Sequence, residues 1–374
     1  MLGGARDTVA LGFRAVSTQA APDDVVHTHA EGEANEREPQ LVLDPLMAFL
    51  DAHGLGTGEV EVTPIGEGHS NVTYALRREG ANVVLRRPPR GPLPPSAHDV
   101  LREARVMSSV AGRARVPAVL AVCDDPAVIG APFYVMERVE GHVVTSAVPA
   151  ELDSLEDRRR IGEELVDALV EIHGVDWRDA GLGDFGKPTG YLERQLRRFL
   201  GLWEHNRTRE IPAVESVGEW LKAHVPESGP ATIVHGDYRL GNTMLAPDAP
   251  ARLVAIFDWE MATIGDPLAD LGYLCTLWVD RHDPTGGMFE LSGVTREEGF
   301  PLREELVARY EERSGRSMTD IRWYRTLALW KSIVFMEGNY KRAVSGATDD
   351  PYLKGFGAGV IQLAQRAEAL ARGG

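Results

Sequence analysis

The apolar residues of this chain are spaced mainly as strands in its first part and as helices beyond Gly141. From Glu59 they come in short runs separated by Gly-containing breaks: Val60, Val62 and Ile65, then Val72 to Leu76, then Ala81 to Leu85. That is the pattern of an antiparallel meander. Val116 to Val122 and Pro132 to Val139 add two further strand-like runs, and between them and the meander Val100, Ala104, Met107 and Ala111 recur at helical spacing. Ser96 is placed to cap that helix, with Asp99 three residues on. Beyond Gly141 the period is helical: Ile161, Leu165, Ala168, Leu169 and Ile172 share one face ending at His173-Gly174, and segments from Glu193, Arg303, Asp320 and Tyr352 repeat the pattern. The reading is α+β: a strand-rich N-terminal lobe with one main helix, then a mostly helical C-terminal lobe. A chain of 374 residues can bury two such cores.

A formal charge of −16 argues against a nucleic-acid partner, whose binding surface clustered Lys and Arg would have to supply. No apolar run approaches the roughly 20 residues of a membrane span, and no secretory or transit signal is convincing, so a cytoplasmic protein without membrane or nucleic-acid partners, monomeric or homodimeric, is expected. Cys123 and Cys275 sit in apolar segments without metal-type spacing and read as core thiols. Residues 1–40 are poor in large apolar groups and read as a flexible or loosely docked extension, leaving 41–140 for the first lobe and 141–374 for the second.

Chemistry is concentrated in Ile233-Val-His-Gly-Asp-Tyr-Arg-Leu-Gly-Asn-Thr-Met-Leu245 and, after the strand-like Leu253 to Phe257, in Asp258-Trp-Glu260. Phosphoryl transfer asks a protein for an Asp beside the acceptor hydroxyl and for oxygen ligands that hold Mg²⁺ against nucleotide phosphates. Asp237 fits the first role, Asn242 and Asp258 the second. Alone, His235-Gly236-Asp237 is an ordinary turn sequence; the offset to Asn242 and the second Asp behind a strand are separate requirements of one mechanism. Asp266-Pro267 opens the next helix, Asp266 as its cap.

His-Gly-Asp-Tyr-Arg-Leu-Gly-Asn with a following Asp-Trp-Glu resembles the aminoglycoside phosphotransferase group of small-molecule kinases, over roughly residues 40 to 370. More narrowly, with Met261-Ala-Thr-Ile-Gly-Asp-Pro-Leu-Ala-Asp-Leu271 it is similar to the kinase-like domain found alone in bacteria and fused to certain acyl-CoA dehydrogenases. The resemblance implies a protein-kinase-like two-lobe fold, ATP and Mg²⁺ as cofactors, and a small-molecule hydroxyl acceptor. It implies His235 as an orienter of Asp237, Asp270 as an anchor of the catalytic loop, and Gly66, Gly68, Ser70 and Asn71 as a nucleotide-covering hairpin whose backbone amides approach phosphates. Met136, Glu137 and Val139 become the hinge beside the purine.

One position departs from the kinase pattern. The third strand, Val83-Val-Leu-Arg-Arg-Pro-Pro89, holds no Lys for the phosphates; Arg86 takes that place, with Glu103 of the following helix as its expected partner. Arg87 should point to the other face. The missing Lys keeps a nucleotide-binding pseudokinase or scaffold open as the alternative, beside an aminoglycoside O-phosphotransferase. A protein kinase is disfavoured, because Asp258 leads almost at once into the Asp266 helix and leaves no activation loop. The acceptor is expected against helices carrying Trp203, Trp323, Tyr324, Trp330, Phe335 and Tyr340, with Glu337, Arg342 and Asp349 as charges. That aromatic supply suits a partly apolar, hydroxyacyl-type acceptor. His173 reads as a helix-end residue favoured by the local dipole.

Overall fold

Alternating β-branched and polar residues from Thr57 onward build a five-stranded antiparallel sheet in the computed structural model, which describes residues 24–66, 71–91, 98–284, 292–347 and 351–373. Four short elements precede it: β1 (Val25–Val26), α1 (His29–Glu33), β2 (Leu41–Val42) and α2 (Leu43–Ala52). The sheet comprises β3 (Thr57–Ile65), β4 (Val72–Glu79) and β5 (Ala81–Arg87), and, after α3 (Val100–Val110), β6 (Val119–Cys123) and β7 (Phe133–Glu137), in the order β3-β4-β5-β7-β6. One face carries Tyr74, Leu76, Val83, Leu85, Phe133 and Val135, which form a core with Leu46 and Leu50 of α2. Full burial of those two leucines contributes about 1.5–3 kcal/mol each. This helix was not expected from the sequence, although its apolar residues at 43, 46 and 50 have helical spacing.

The extension differs from its expected looseness. From Asp24 it is built in: β1 pairs in parallel with β2, Thr28 and Glu31 close a reciprocal capping box on α1, and the Gln40 N–H donates to the Asp24 carbonyl at 2.7 Å. His29 donates to the Ala127 carbonyl at 2.8 Å, and Arg90 pairs with Asp24. Backbone pairing and the contacts of Arg87 and Arg90 replace the large apolar side chains that the sequence lacks here. Residues 1–23 lie outside the described ones, as do Ser96, Gly68 and Ser70.

The second compact unit holds α4 (Leu155–Gly174), α5 (Tyr191–Asn206), α6 (Pro212–Ala223), β8 (Thr232–Val234), β9 (Thr243–Leu245), β10 (Leu253–Ile256), β11 (Thr263–Gly265), α7 (Leu268–Leu277), α8 (Arg303–Ser314), α9 (Ile321–Val344) and α10 (Pro351–Arg372). Its main core joins α5, α6, α9 and α10 through Phe199, Val214, Leu221, Trp330, Ile333 and Val360. Helix α7 packs closely on α9 because residue 272 is Gly: a Cβ there would lie 2.7 Å from the backbone of Tyr324. Two short antiparallel ladders, β8 with β11 and β9 with β10, support the intervening loops. Both cysteines are buried and free. Among the described residues no helix is long and apolar enough to cross a membrane.

The first unit runs to Leu101 and resumes over Val119–Arg138; Arg102–Ala118 and everything from Val139 belong to the second. The break at Arg138/Val139 lies two residues before the expected lobe boundary at 140. Most of α3 groups with the helical unit instead of the strand lobe in which its place in the sequence had put it, for a reason that appears in its contacts.

Candidate active site

The loop between β8 and β9 is held from beneath by one carboxylate. Asp270, in the first turn of α7, is buried; its Oδ2 accepts the His235 backbone N–H at 2.6 Å and its Oδ1 the Gly236 N–H at 2.8 Å. Gly236 turns through φ +89, and a Cβ there would stand 2.8 Å from both the Cβ and the carbonyl oxygen of Met261, so the turn requires glycine. The His235 ring is buried, donating from Nε2 to the Phe257 carbonyl at 2.9 Å and accepting at Nδ1 from the Asp237 backbone N–H at 3.2 Å. A carbonyl on one nitrogen and an N–H on the other place the ring proton on Nε2 and fix the ring's orientation. His235 thus ties the Asp237 main chain to the end of β10.

Asp237 stands half-exposed at the tip. Its Oδ2 accepts from Asn242 Nδ2 at 2.7 Å, and the same amide donates to the Asp237 carbonyl at 2.9 Å, which leaves Asn242 Oδ1 as the remaining acceptor end of the amide. The phenol of Tyr273, one turn along α7 from Asp270, is pushed well above its ordinary range by burial and by the Asp237 carboxylate that it faces.

Register brings the second Asp alongside. Thr243 pairs with Ile256 across the β9–β10 ladder and the Phe257 N–H donates to the Asn242 carbonyl at 2.9 Å, so Asp258 follows immediately beyond the residue opposite Asn242. Asp258 adopts φ +65, ψ 58, a left-handed conformation uncommon for a residue with a side chain and a form of strain that collects at functional sites. Helix α3 secures the turn at both ends: the Glu103 carboxylate, 1% exposed, accepts the Trp259 N–H at 3.1 Å, and Arg102 donates to the carbonyls of Phe185 and Ala262 at 2.7 and 2.9 Å. These bonds explain why α3 groups with the helical unit. Glu103 is therefore no solvated surface carboxylate; it holds the backbone of the turn that carries Asp258.

His173 is not the dipole-stabilised helix-end cation expected. It is buried, with Nδ1 2.6 Å from the Tyr310 hydroxyl and Nε2 3.3 Å from Asp270 Oδ2. Burial drives its pKa below the ordinary histidine value, and hydrogen bonding to Asp270 only partly offsets this. On Asp270 burial pushes upward, but the His173 bond, the neighbouring His173 and His235 rings and the Gly236 N–H outweigh it and hold the carboxyl below its usual range. The set reads Tyr310 O–H to His173, His173 N–H to Asp270, Asp270 to the loop amides. No sequence spacing announces it, since the partners are 97 and 137 residues apart.

Beside Asp270 opens a small pocket of about 20 Å³. One face of α9, Tyr324, Leu327, Ala328 and Lys331 at helical spacing, forms one wall; Ala269, Asp270 and Tyr273 of α7 form another, closed by Tyr191 and Gly236. Of the aromatic residues expected to contact an acceptor, Tyr324 lines this pocket. Trp203, Trp323 and Trp330 are core, at 2%, 3% and 1% exposure, because they lie on the α5 and α9 faces turned to α6 and α10. Glu337 is wholly buried, accepting from the Thr208 N–H and hydroxyl at 3.0 and 2.6 Å and pairing with Arg209, so it is a structural charge. Asp349 lies outside the described residues. The sequence reading missed Lys331, Tyr273 and Tyr191; Lys331 could have been found as the single charge in Thr326 to Met336.

In the first unit, Thr73 pairs with Arg86 and Val84 with Met136, so Arg86 and Met136 share one sheet face. Arg86 donates to the Thr73 hydroxyl at 3.4 Å. Arg87 turns to the opposite face, where it is buried and donates to the carbonyls of Pro88, Gln40 and Ile129; burial lowers its pKa to about 10. Gly66 has φ +86 at the mouth of the β3–β4 connection, and Asn71 is buried at its far end. Glu137 is exposed at the end of β7.

Among the described residues no group of three or more His, Cys, Asp or Glu side chains could hold a metal by itself. The amide oxygen of Asn242 and the carboxylate of Asp258 are ligand types that fit instead a hard cation that keeps most of its ligands as water or phosphate.

The phosphotransferase enzyme family profile, APH, matches residues 61–324. Mouse acyl-CoA dehydrogenase family member 10 is 35% identical over 315 residues, covering 82% of this chain and 29% of that protein, and rat acyl-CoA dehydrogenase family member 11 is 32% identical over 325 residues, covering 82% and 41%. The chain thus spans well under half the length of these relatives. A solved structure from Ralstonia eutropha, provisionally assigned as an aminoglycoside phosphotransferase, superimposes with a TM-score of 0.77 at 32% identity, covering 88% of this chain and 98% of that one.

Proposed function

The chain belongs to the APH phosphotransferase enzyme family, and from that premise we propose that it is an ATP- and Mg²⁺-dependent kinase that moves the γ-phosphoryl group onto a hydroxyl of a partly apolar small molecule. The observation that carries the reading is the convergence of Asp237, Asn242 and a left-handed Asp258 through the β9–β10 register on a loop anchored by a buried carboxylate.

In this mechanism Asp237 orients the acceptor hydroxyl and accepts its proton late in the reaction. A loose transition state keeps the demand on its basicity small. The acceptor oxygen forms a bond to the γ-phosphorus while the bond from that phosphorus to the bridging β–γ oxygen breaks, and ADP leaves with the bridging oxygen. Asn242 keeps the Asp237 carboxylate in one rotamer through its Nδ2 bond. Asn242 Oδ1 and Asp258 would hold Mg²⁺, which when bound neutralises charge on the transferred and leaving phosphates. Arg86 steadies the phosphates from the strand unit, with Glu103 as its proposed partner and Gly66, Gly68, Ser70 and Asn71 forming the cover. Met136, Glu137 and Val139 flank the base. An arginine retains the charge of the usual lysine and adds a planar fork of donors.

A partly apolar, hydroxyacyl-type acceptor is supported by the Tyr191, Tyr324, Leu327 and Ala328 walls of the pocket and by the acyl-CoA dehydrogenase names of the longer relatives. The test is Mg²⁺-dependent ADP release across aminoglycosides, amino alcohols and hydroxyacyl compounds, with Asp237→Asn alongside. Acceptor-stimulated release lost in the variant supports the kinase. Nucleotide binding without turnover on any acceptor favours the scaffold reading that Arg86, in place of a lysine, keeps alive.

A further inference from the structure

One wall of the pocket, formed by α9, presents the Lys331 ammonium. Among the described residues Lys331 is the only basic one lining the pocket, and it is the only charged one between Thr326 and Met336. Among the described residues it has no hydrogen bond and no ion pair; its Nζ lies 4.8 Å from the centre of the Phe199 ring, and the Asp270 and Asp237 carboxylates act on its charge without pairing with it. The nearest carboxylates are engaged elsewhere, Asp270 with His235, Gly236 and His173, and Asp237 with Asn242. Arg198 adds a second positive charge in the vicinity.

A half-buried cation without a hydrogen-bonded counter-ion is partly desolvated in the isolated protein, and its charge is better met when a ligand brings the opposite one. We propose that Lys331 is the specificity residue of the acceptor pocket and seats an acidic group of the acceptor, so that the acceptor is an apolar hydroxy acid whose carboxylate pairs with the ammonium. The inference rests on the phosphotransferase reading and narrows it. Leu327, Ala328 and Tyr324 sit one and two turns before Lys331 on the same helix face and offer the apolar part of the molecule a surface. A polycationic sugar would bring like charge against Lys331 with no unengaged carboxylate on the pocket wall to receive it. Burial lowers the Lys331 pKa to about 8, so the group is still largely charged at neutral pH.

The experiment compares ADP release by the wild-type chain, Lys331→Met and Lys331→Arg on a positional series of hydroxyoctanoates, on their methyl esters and on kanamycin. The expected result is a lower KM for the acids than for the esters in the wild type. Lys331→Met should raise KM for the acids by about 10- to 100-fold, the worth of one charged hydrogen bond, leave the esters near wild type and change kcat less. Lys331→Arg should restore most of the preference. Equal KM for acid and ester in the wild type, an equal loss on both in Lys331→Met, or turnover with kanamycin alone would overturn the assignment of Lys331 and leave the kinase standing. Absence of ADP release with every acceptor would overturn the kinase reading itself, and this inference with it.

Discussion

Removing the Lys331 charge should stabilise the protein while harming its use of acceptor. The ordinary lysine pKa of 10.5 falls to about 8 in the fold, with burial as the main cause, Arg198 adding to it, and Asp270 and Asp237 opposing. That difference of roughly 2.5 units, at 1.36 kcal/mol each, sets an upper bound of about 3.4 kcal/mol on the penalty of keeping the charged form in place. The side chain is only half-buried, so screening reduces the realistic figure to about 1–2 kcal/mol. The sign follows from proton uptake. Between pH 8 and 10.5 the unfolded chain holds the proton that the native state has released, so wild-type stability rises with pH across that window, and below pH 8 the whole penalty is present. Lys331→Met keeps the length and apolar stem without the charge. It should raise the midpoint of thermal unfolding at pH 7 by about 2–6 °C for a unit of this size, and the gap should close as pH approaches 10.5. Differential scanning calorimetry of both proteins at pH 7 and pH 10 measures it. A lower midpoint for Lys331→Met, or a gap that does not change with pH, refutes the reasoning that the ammonium is held at an energetic cost.

Other expectations follow from the catalytic loop. Asp237→Asn should reduce kcat by about 10²–10⁴-fold, the range of a lost general base, with nucleotide affinity changed less than threefold by calorimetric titration; equal losses in both would place Asp237 in binding only. His173 and Asp270 both have folded pKa values below their unfolded ones, so their contribution is complete above about pH 6.5 and is lost as pH falls, His173 first. His173→Gln, which keeps a donor toward Asp270 without a titrating ring, should remove the part of the acid-side stability loss that begins near pH 6.5 in urea titrations. Gly236→Ala should cost at least about 2 kcal/mol, from a left-handed φ combined with a backbone clash at Met261, and should cut activity by more than it cuts stability. Glu103→Gln keeps the bond to the Trp259 N–H and should retain most of the stability; if the Arg86 partnership is real, the variant should still weaken ATP binding, which isothermal titration would resolve.

The division between what could be read from the chain and what could not follows the distance over which each contact acts. Strands β3 to β5 and the offset of Asp237 from Asn242 were legible because alternation and a six-residue loop are local properties, fixed by side-chain period and by the few backbone routes a Gly-containing turn permits. Asp258 was legible for a similar reason, since a short strand must separate it from the loop if a hairpin is to bring the two together. Helix α2 and the docking of residues 24–40 carried weaker signals, their stability coming from backbone pairs and from arginines seated on carbonyls far along the chain. Tertiary structure alone decided that Glu103 holds the Asp258 turn, that His173 and Tyr310 buttress Asp270, that three tryptophans are core, and that Lys331 lines a pocket beside Asp270. Each of these depends on which helix face meets which, across separations of about a hundred residues. A buried polar group finds its partner wherever the packing of α3, α4, α7, α8 and α9 places one, and apolar periodicity specifies that a face is buried but not what it is buried against.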